Sequence, residues 1–222
     1  MAYILNIETA TKNCSVSIAF NGKTIAYREI AEEGYSHAER LHVFIEEVIS
    51  EALITLSDLS AVAVSQGPGS YTGLRIGVSA AKGLCFSLGI SLIAIDTLQV
   101  IAQQVSISDG VIIPMLDARR MEVYSAIFSP NFKKKREVRA EIITEDSFVD
   151  IKENIFFIGD CSAKCKAVLT QSNHIFLENI IYPSAKEMSA LSYEKFINNN
   201  TVDVAYFEPY YLKDFLITKS TK

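Results

Sequence analysis

Apolar and polar positions along the chain change period several times, and each change marks an element. Ile4-Leu5-Asn6-Ile7 is a short apolar run ending on the carboxylate of Glu8, the pattern of a buried strand. After a loop from Thr9 to Asn13, residues Cys14, Val16, Ile18 and Phe20 alternate with Ser15, Ser17 and Ala19, which is the period of a strand with two unlike faces. Asn21-Gly22 tolerates positive φ at both positions and predicts a hairpin into a third strand, about Lys23 to Ile30. Ser36 with Glu39 three residues on reads as a capping box. It opens a helix whose stripe of Leu41, Phe44, Ile45, Val48, Ile49, Ala52 and Leu53 predicts a run to about Leu56. Leu59 to Val64 is the next strand, followed by a glycine-rich turn, a helix from about Thr72 to Leu88, a strand from Ser91 to Ile95 and a short helix from Leu98 to Val105. Three strands, then helix, strand, helix, strand, helix, is the order of an RNase H-like unit.

The second half opens in the same way. Val111 to Leu116 predicts a strand ending at Asp117, which takes the place Glu8 holds in the first half, and Met121 to Phe128 predicts its neighbour. Ser129-Pro130-Asn131 marks a turn, Ile155 to Ile158 a further strand before Gly159-Asp160, and helices are expected near Ser162–Thr170 and Ser184–Asn198. The expected fold class is therefore α/β with two RNase H-like lobes, residues 1–106 and 107–222, and a cleft between them.

Composition narrows the function classes. With 21 basic against 26 acidic side chains the net charge is −5, which argues against broad coating of nucleic acid. No apolar stretch approaches the roughly 20 residues of a membrane helix. The start has no basic region ahead of its apolar run, and Cys14, Cys85, Cys161 and Cys165 form no disulfide framework. A cytoplasmic protein with reduced thiols, away from membranes, is expected.

The turn from Gln66 to Arg75 is the most informative motif. A glycine-rich turn entering a helix offers unpaired N–H groups to an anion, and it equally serves as a tight strand-to-helix connection with no ligand. It is neither a P-loop, since Gly73 is followed by Leu74 and Arg75, nor a dinucleotide fingerprint, since Thr72 holds the third glycine position. Glu8 and Asp117 at two strand ends are cleft carboxylates that read either as a Mg²⁺ pair or as solvated ends. His37 and His42, five residues apart on a helix, do not converge on a metal, and Cys161 and Cys165 lack the further ligands of a zinc site. Ser79 sits mid-helix, away from the strand-to-helix turn a nucleophile elbow needs. The run Lys133 to Arg136 reads as a solvated loop or, more sharply, as an RNA contact.

One stretch carries a resemblance. Ser65-Gln66-Gly67-Pro68-Gly69-Ser70-Tyr71-Thr72-Gly73-Leu74-Arg75-Ile76-Gly77, with Ala81-Lys82-Gly83-Leu84 behind it, resembles the GPGSFTGLRIG…KGL signature of the TsaB (YeaZ) family. Members of that family are the bacterial partner subunits in making threonylcarbamoyladenosine at position 37 of tRNA. Ile4 to Thr9, Cys14 to Val16, Ser36 to Leu41, Asp117 to Tyr124, Gly159-Asp160 and Pro209 to Leu212 match in order along the chain. Two positions depart from the family: Glu8 stands where aspartate is common, and Lys213 where arginine follows Tyr-Leu.

The resemblance implies an actin-like ATPase (ASKHA) fold with a degenerate second lobe. It also implies a division of labour with the catalytic paralogue TsaD, whose segment of the type V-N-H-L-E-G-H carries two metal-binding histidines. Thr97 and Ile101 stand in their places here, so neither a catalytic residue nor a metal site is expected. The remaining implications are a TsaD-binding surface, TsaE in a larger complex, tRNA reached through that complex, and a homodimer when alone. No cofactor is required by the chain itself, with ATP or ADP bound within the complex. The partner surface is expected at His37, Leu41, Ile45, Leu74, Gly77, Val78, Ala81 and Lys82, with Gly77→Arg and Ala81→Arg as its test. A vestigial nucleotide or phosphate loop is expected at Thr9, Gly67, Gly69, Ser70, Thr72, Gly73 and Arg75. Rival readings are a small actin-fold ATPase or kinase, a glycoprotease-like peptidase, and an independent RNA-binding protein.

Overall fold

The structure is a computed structural model and describes residues 1–32 and 37–212; the expected Ser36 cap and Lys213 lie outside the described residues. Strands β1 (Tyr3–Glu8), β2 (Asn13–Phe20) and β3 (Lys23–Ala31) form an antiparallel meander. Its hairpin is turned by Asn21 and Gly22, at φ 47° and 82°. β4 (Leu59–Gly67) and β5 (Ser91–Asp96) extend the sheet in parallel, giving the order β3-β2-β1-β4-β5. Between them run helices α1 (His37–Glu51) and α2 (Tyr71–Leu88).

The period-two pattern decides which side each strand residue packs on. Leu5, Ile7, Val16 and Val64 meet Leu41, Val48, Val78 and Ala81 of α1 and α2. Ile4, Ala61, Ala63, Ile93 and Ile95 face the other way, onto Met188 and Leu191. The α1 stripe is buried from Leu41 to Val48, but the helix ends at Glu51 rather than near Leu56. Leu53 there takes a left-handed φ of 55° and is 92% exposed, so it terminates the helix instead of packing with it.

Helix α3 (Thr97–Ala102) leads into a second sheet of β6 (Val111–Asp117), β7 (Glu122–Phe128), β8 (Lys134–Ile142), β9 (Ile155–Ile158) and β10 (His174–Phe176). Its order, β8-β7-β6-β9-β10, and its strand senses repeat those of the first sheet. This duplicated RNase H-like topology is that of the actin-like ATPase fold. The second copy is the reduced one: no helix separates β8 from β9, and α4 (Ser162–Lys166) replaces the long α2 with five residues.

Two expectations are corrected here. Lys133 to Arg136 is not a solvated loop, because Lys134 opens the nine-residue strand β8. The division at residues 106 and 107 also fails for the C-terminal part, since helix α5 (Met188–Ile197) returns to the first sheet. That return is fastened by Ser17 Oγ donating to the Ala185 carbonyl at 2.7 Å, Asn13 Nδ2 donating to the Pro183 carbonyl at 2.9 Å, and a bridge from Val202 to Leu92.

Candidate functional site

The glycine loop packs against the turn that follows β1. Ser70 N–H donates to the Ala10 carbonyl at 2.7 Å, beside Gly69, and Gly67 N–H donates to Thr97 Oγ1 at 3.2 Å. Ser70 caps α2, its hydroxyl accepting from Gly73 N–H. Thr9 Oγ1 donates to the Gly73 carbonyl at 2.8 Å. A side chain at Gly73 would begin 2.1 Å from the Thr9 carbonyl oxygen, and one at Gly77 would begin 2.3 Å from Thr9 Oγ1. Gly73 and Gly77 are therefore required by the close approach of Thr9, whereas a side chain at Gly83 would meet nothing. Of the N–H groups expected to face an anion, those of Gly67, Ser70 and Gly73 are bonded within the chain, and Thr72 is left exposed on the outer side of the helix.

Beneath the loop lies Glu8, fully buried. Its carboxylate accepts from the Ser65 hydroxyl and, at 2.6 Å, from Ala10 N–H. Burial pushes its pKa up from 4.5 to about 7, against the lowering effect of those two donors. Glu8 is thus neither a solvated strand end nor matched in environment by Asp117, which is half-exposed and paired with Lys164 at 2.5 Å. Among the described residues no three His, Cys, Asp or Glu converge as a metal group. All four cysteines are free and buried.

The irregular segment from Ala205 to Tyr211 closes over the loop. Tyr210 N–H donates to the Gln66 carbonyl at 2.7 Å, and Lys82 Nζ reaches the Ala205 and Phe207 carbonyls at 3.0 Å each. Arg75 lies over the Tyr71 ring at 4.1 Å and donates to the Tyr211 hydroxyl at 3.1 Å. Arg75 is consequently held by aromatic neighbours rather than aimed at the loop.

The expected partner residues need the largest correction. His37, Leu41, Ile45, Leu74, Gly77, Val78 and Ala81 all face the core, and Lys82 serves the C-terminal segment. His37 Nε2 is 2.8 Å from the Thr11 carbonyl, and burial lowers its pKa. The substitutions Gly77→Arg and Ala81→Arg would therefore test folding, not docking. What the two helices offer to solvent is a groove of about 830 Å³ lined by Ala38 and His42 of α1 and by Thr72, Ile76, Ala80 and Leu84 of α2. Sequence reasoning passed over this face because α2 carries apolar or small residues on both sides. The signal was the spacing 72, 76, 80, 84, one turn apart and offset from the core positions 74, 77, 78, 81 and 85.

At the start of α3, Asp96 accepts from Leu98 N–H at 2.9 Å and pairs with Lys134 of β8 at 2.8 Å. Thr97 is engaged by Gly67, and Ile101 is buried in the core beneath the second sheet.

The comparisons agree with this architecture. The family model described as TsaD, tRNA N6-adenosine threonylcarbamoyltransferase, matches residues 29–215. The tRNA threonylcarbamoyladenosine biosynthesis protein TsaB of Escherichia coli (strain K12) is 26% identical over 220 residues, covering 95% of this chain and 94% of the relative. The protein of the same description from Buchnera aphidicola subsp. Schizaphis graminum is 31% identical over 195 residues, covering 83% and 90%. The solved structure of YeaZ from Pseudomonas aeruginosa superposes with a TM-score of 0.83 at 22% identity, covering 96% of this chain and 100% of that one. With the glycine loop in place and matches along nearly its whole length, the chain belongs to the TsaD-type family and, within it, to the TsaB (YeaZ) group.

Proposed function

We propose that the chain is a non-catalytic partner subunit that binds a TsaD paralogue and supports threonylcarbamoyl transfer to adenosine 37 of tRNA. The observation that carries this reading is the start of α3. Where the paralogue's segment places two imidazoles, this chain has Thr97, whose hydroxyl is used by Gly67 N–H, and Ile101, sealed in the core. Neither side chain ligates a metal in that setting. Asp96, the nearest carboxylate, already caps the helix and holds Lys134.

The α1–α2 groove supports the docking half of the proposal. It is apolar, flanked by His42 and Arg75, and built on two helices long enough to enter a helical bundle with a partner. The same face serves self-association when the paralogue is absent. TsaE and tRNA join through the complex, and ATP or ADP is bound there rather than in this chain's glycine loop, where the Gly67, Ser70 and Gly73 N–H groups are bonded within the chain.

Reconstituting tRNA modification with and without the chain tests the reading. Transfer that needs both the paralogue and this chain is expected. Transfer by the purified chain alone, or steady ATP turnover by it, would overturn the proposal and favour the small actin-fold ATPase or kinase.

A further inference from the structure

The turn from β6 to β7 is built against local preference. Arg119 and Arg120 both take left-handed backbone conformations, at φ 75° and 56°. Long side chains adopt that region rarely. The first sheet's own hairpin meets the same demand with Asn21 and Gly22. The arginine turn is nonetheless firmly held. Arg119 N–H donates to Asp117 Oδ1 at 3.2 Å, Glu122 N–H to the Arg119 carbonyl at 3.2 Å, and Lys164 Nζ to the Arg120 carbonyl at 2.5 Å.

Both arginines are exposed, and among the described residues neither guanidinium has a hydrogen bond or ion pair. Among the described residues no ion pair joins them to the acids nearby: Asp117 is paired with Lys164, and the exposed Asp160 accepts Asp117 N–H at 2.9 Å. The basic run on β8 presents the opposite case: Lys134 is paired with Asp96, Lys135 with Glu153 and Arg136 with Glu141.

We propose that Arg119 and Arg120 form a clip for the phosphodiester backbone of RNA, engaged when the chain sits in a tRNA-modifying assembly. The inference rests on the function proposed above. Two adjacent guanidiniums offer forked donors that match phosphate oxygens. The hairpin accounts for the backbone conformation but not for arginine at both positions, whose guanidiniums have no use inside the molecule; a ligand contact explains that choice. On a chain of net charge −5 the contact is local rather than a field of the whole surface.

The test is the double variant Arg119→Asn/Arg120→Gly, which restores the residues such a turn prefers, beside Arg119→Lys/Arg120→Lys, which keeps the charge. Each is assembled with the TsaD paralogue, and tRNA affinity is read by fluorescence anisotropy across a salt series. The Asn-Gly variant is expected to melt no lower than the wild type. It should bind tRNA roughly tenfold more weakly, with the log–log salt slope reduced by about 1.6 for two lost phosphate contacts. The lysine variant should keep most of the slope. Unchanged affinity and slope in the Asn-Gly variant overturn the inference. So does a lowered melting temperature, which would make the arginines structural. Weaker ATP binding with intact tRNA affinity would assign the pair to a nucleotide and overturn the RNA assignment. If the wild-type assembly neither binds nor modifies tRNA, the functional reading falls and takes the clip with it. If the wild type works and the Asn-Gly variant matches it, the clip alone falls.

Discussion

Glu8 concentrates the energetics of the first lobe in one carboxyl. Among the described residues no cation pairs with it, and its two donors come from Ser65 and Ala10 N–H, the second of which shapes the turn that follows β1. Its pKa lies above the unfolded value of 4.5, at about 7, so the folded state holds the proton more tightly. That contribution is complete below the unfolded value and is lost as pH rises through about 7. It amounts to about 3 kcal/mol at most. Urea unfolding of the wild type should therefore show falling stability between those limits, and Glu8→Gln should flatten the slope. An unchanged slope in the variant would contradict the assignment. Gly77 gives a second prediction at this scale. Gly77→Ala sets a methyl group against Thr9 Oγ1 and should destabilise the fold by about 1–3 kcal/mol in the same assay. Gly83→Ala, whose added carbon meets nothing within 4 Å, should not destabilise it. The carboxylate at position 8 was legible in the sequence, but its burial was not, because a strand end reads alike whether a loop covers it or water does.

Element by element, legibility followed periodicity. β1, β2, β4, β5, β6 and β9 are apolar runs or clean alternations, and each formed where the pattern placed it. β8 broke the pattern because it is an edge strand reading Lys-Lys-Arg-Glu-Val-Arg-Ala-Glu-Ile. Charges on such an edge discourage pairing with other chains while leaving no apolar alternation to detect. The candidate docking surface suffered from the opposite excess. The helical spacing identified α1 and α2, yet an apolar residue on a two-sided helix does not announce whether it faces core or partner. The outer set supplies the prediction: Ile76→Asp should weaken association with the paralogue by tenfold or more, about 1.4 kcal/mol. Ile76 is only partly buried, so the variant should remain folded by circular dichroism. Unaltered association in titration calorimetry would remove the groove from consideration.

Across the whole molecule, duplication explains both the order and the asymmetry of the fold. Each sheet repeats the same strand sequence, but the first keeps its long helices while the second has lost one and shortened another. The lobes are joined by α3, with Leu98 and Ile101 packing on the second sheet and Val100 on the first. The Asp96–Lys134 pair, largely buried, adds a polar fastening across the same region. Lys134→Ala leaves that carboxylate unpaired and should cost about 1–3 kcal/mol in urea unfolding. Lys135→Ala, at an exposed and longer ion pair, should cost almost nothing. The return of α5 to the first sheet was beyond sequence reading, because nothing in an apolar helix names the sheet it will cover.

The central claim, a folded subunit that acts by docking rather than by chemistry, is met most directly by titrating this chain into the TsaD paralogue and following threonylcarbamoyl transfer to tRNA. Stimulation that saturates with the complex is expected, and its loss with a folded Ala80→Arg variant whose added side chain fills the groove. Transfer by this chain without the paralogue, or equal stimulation by Ala80→Arg, would contradict it.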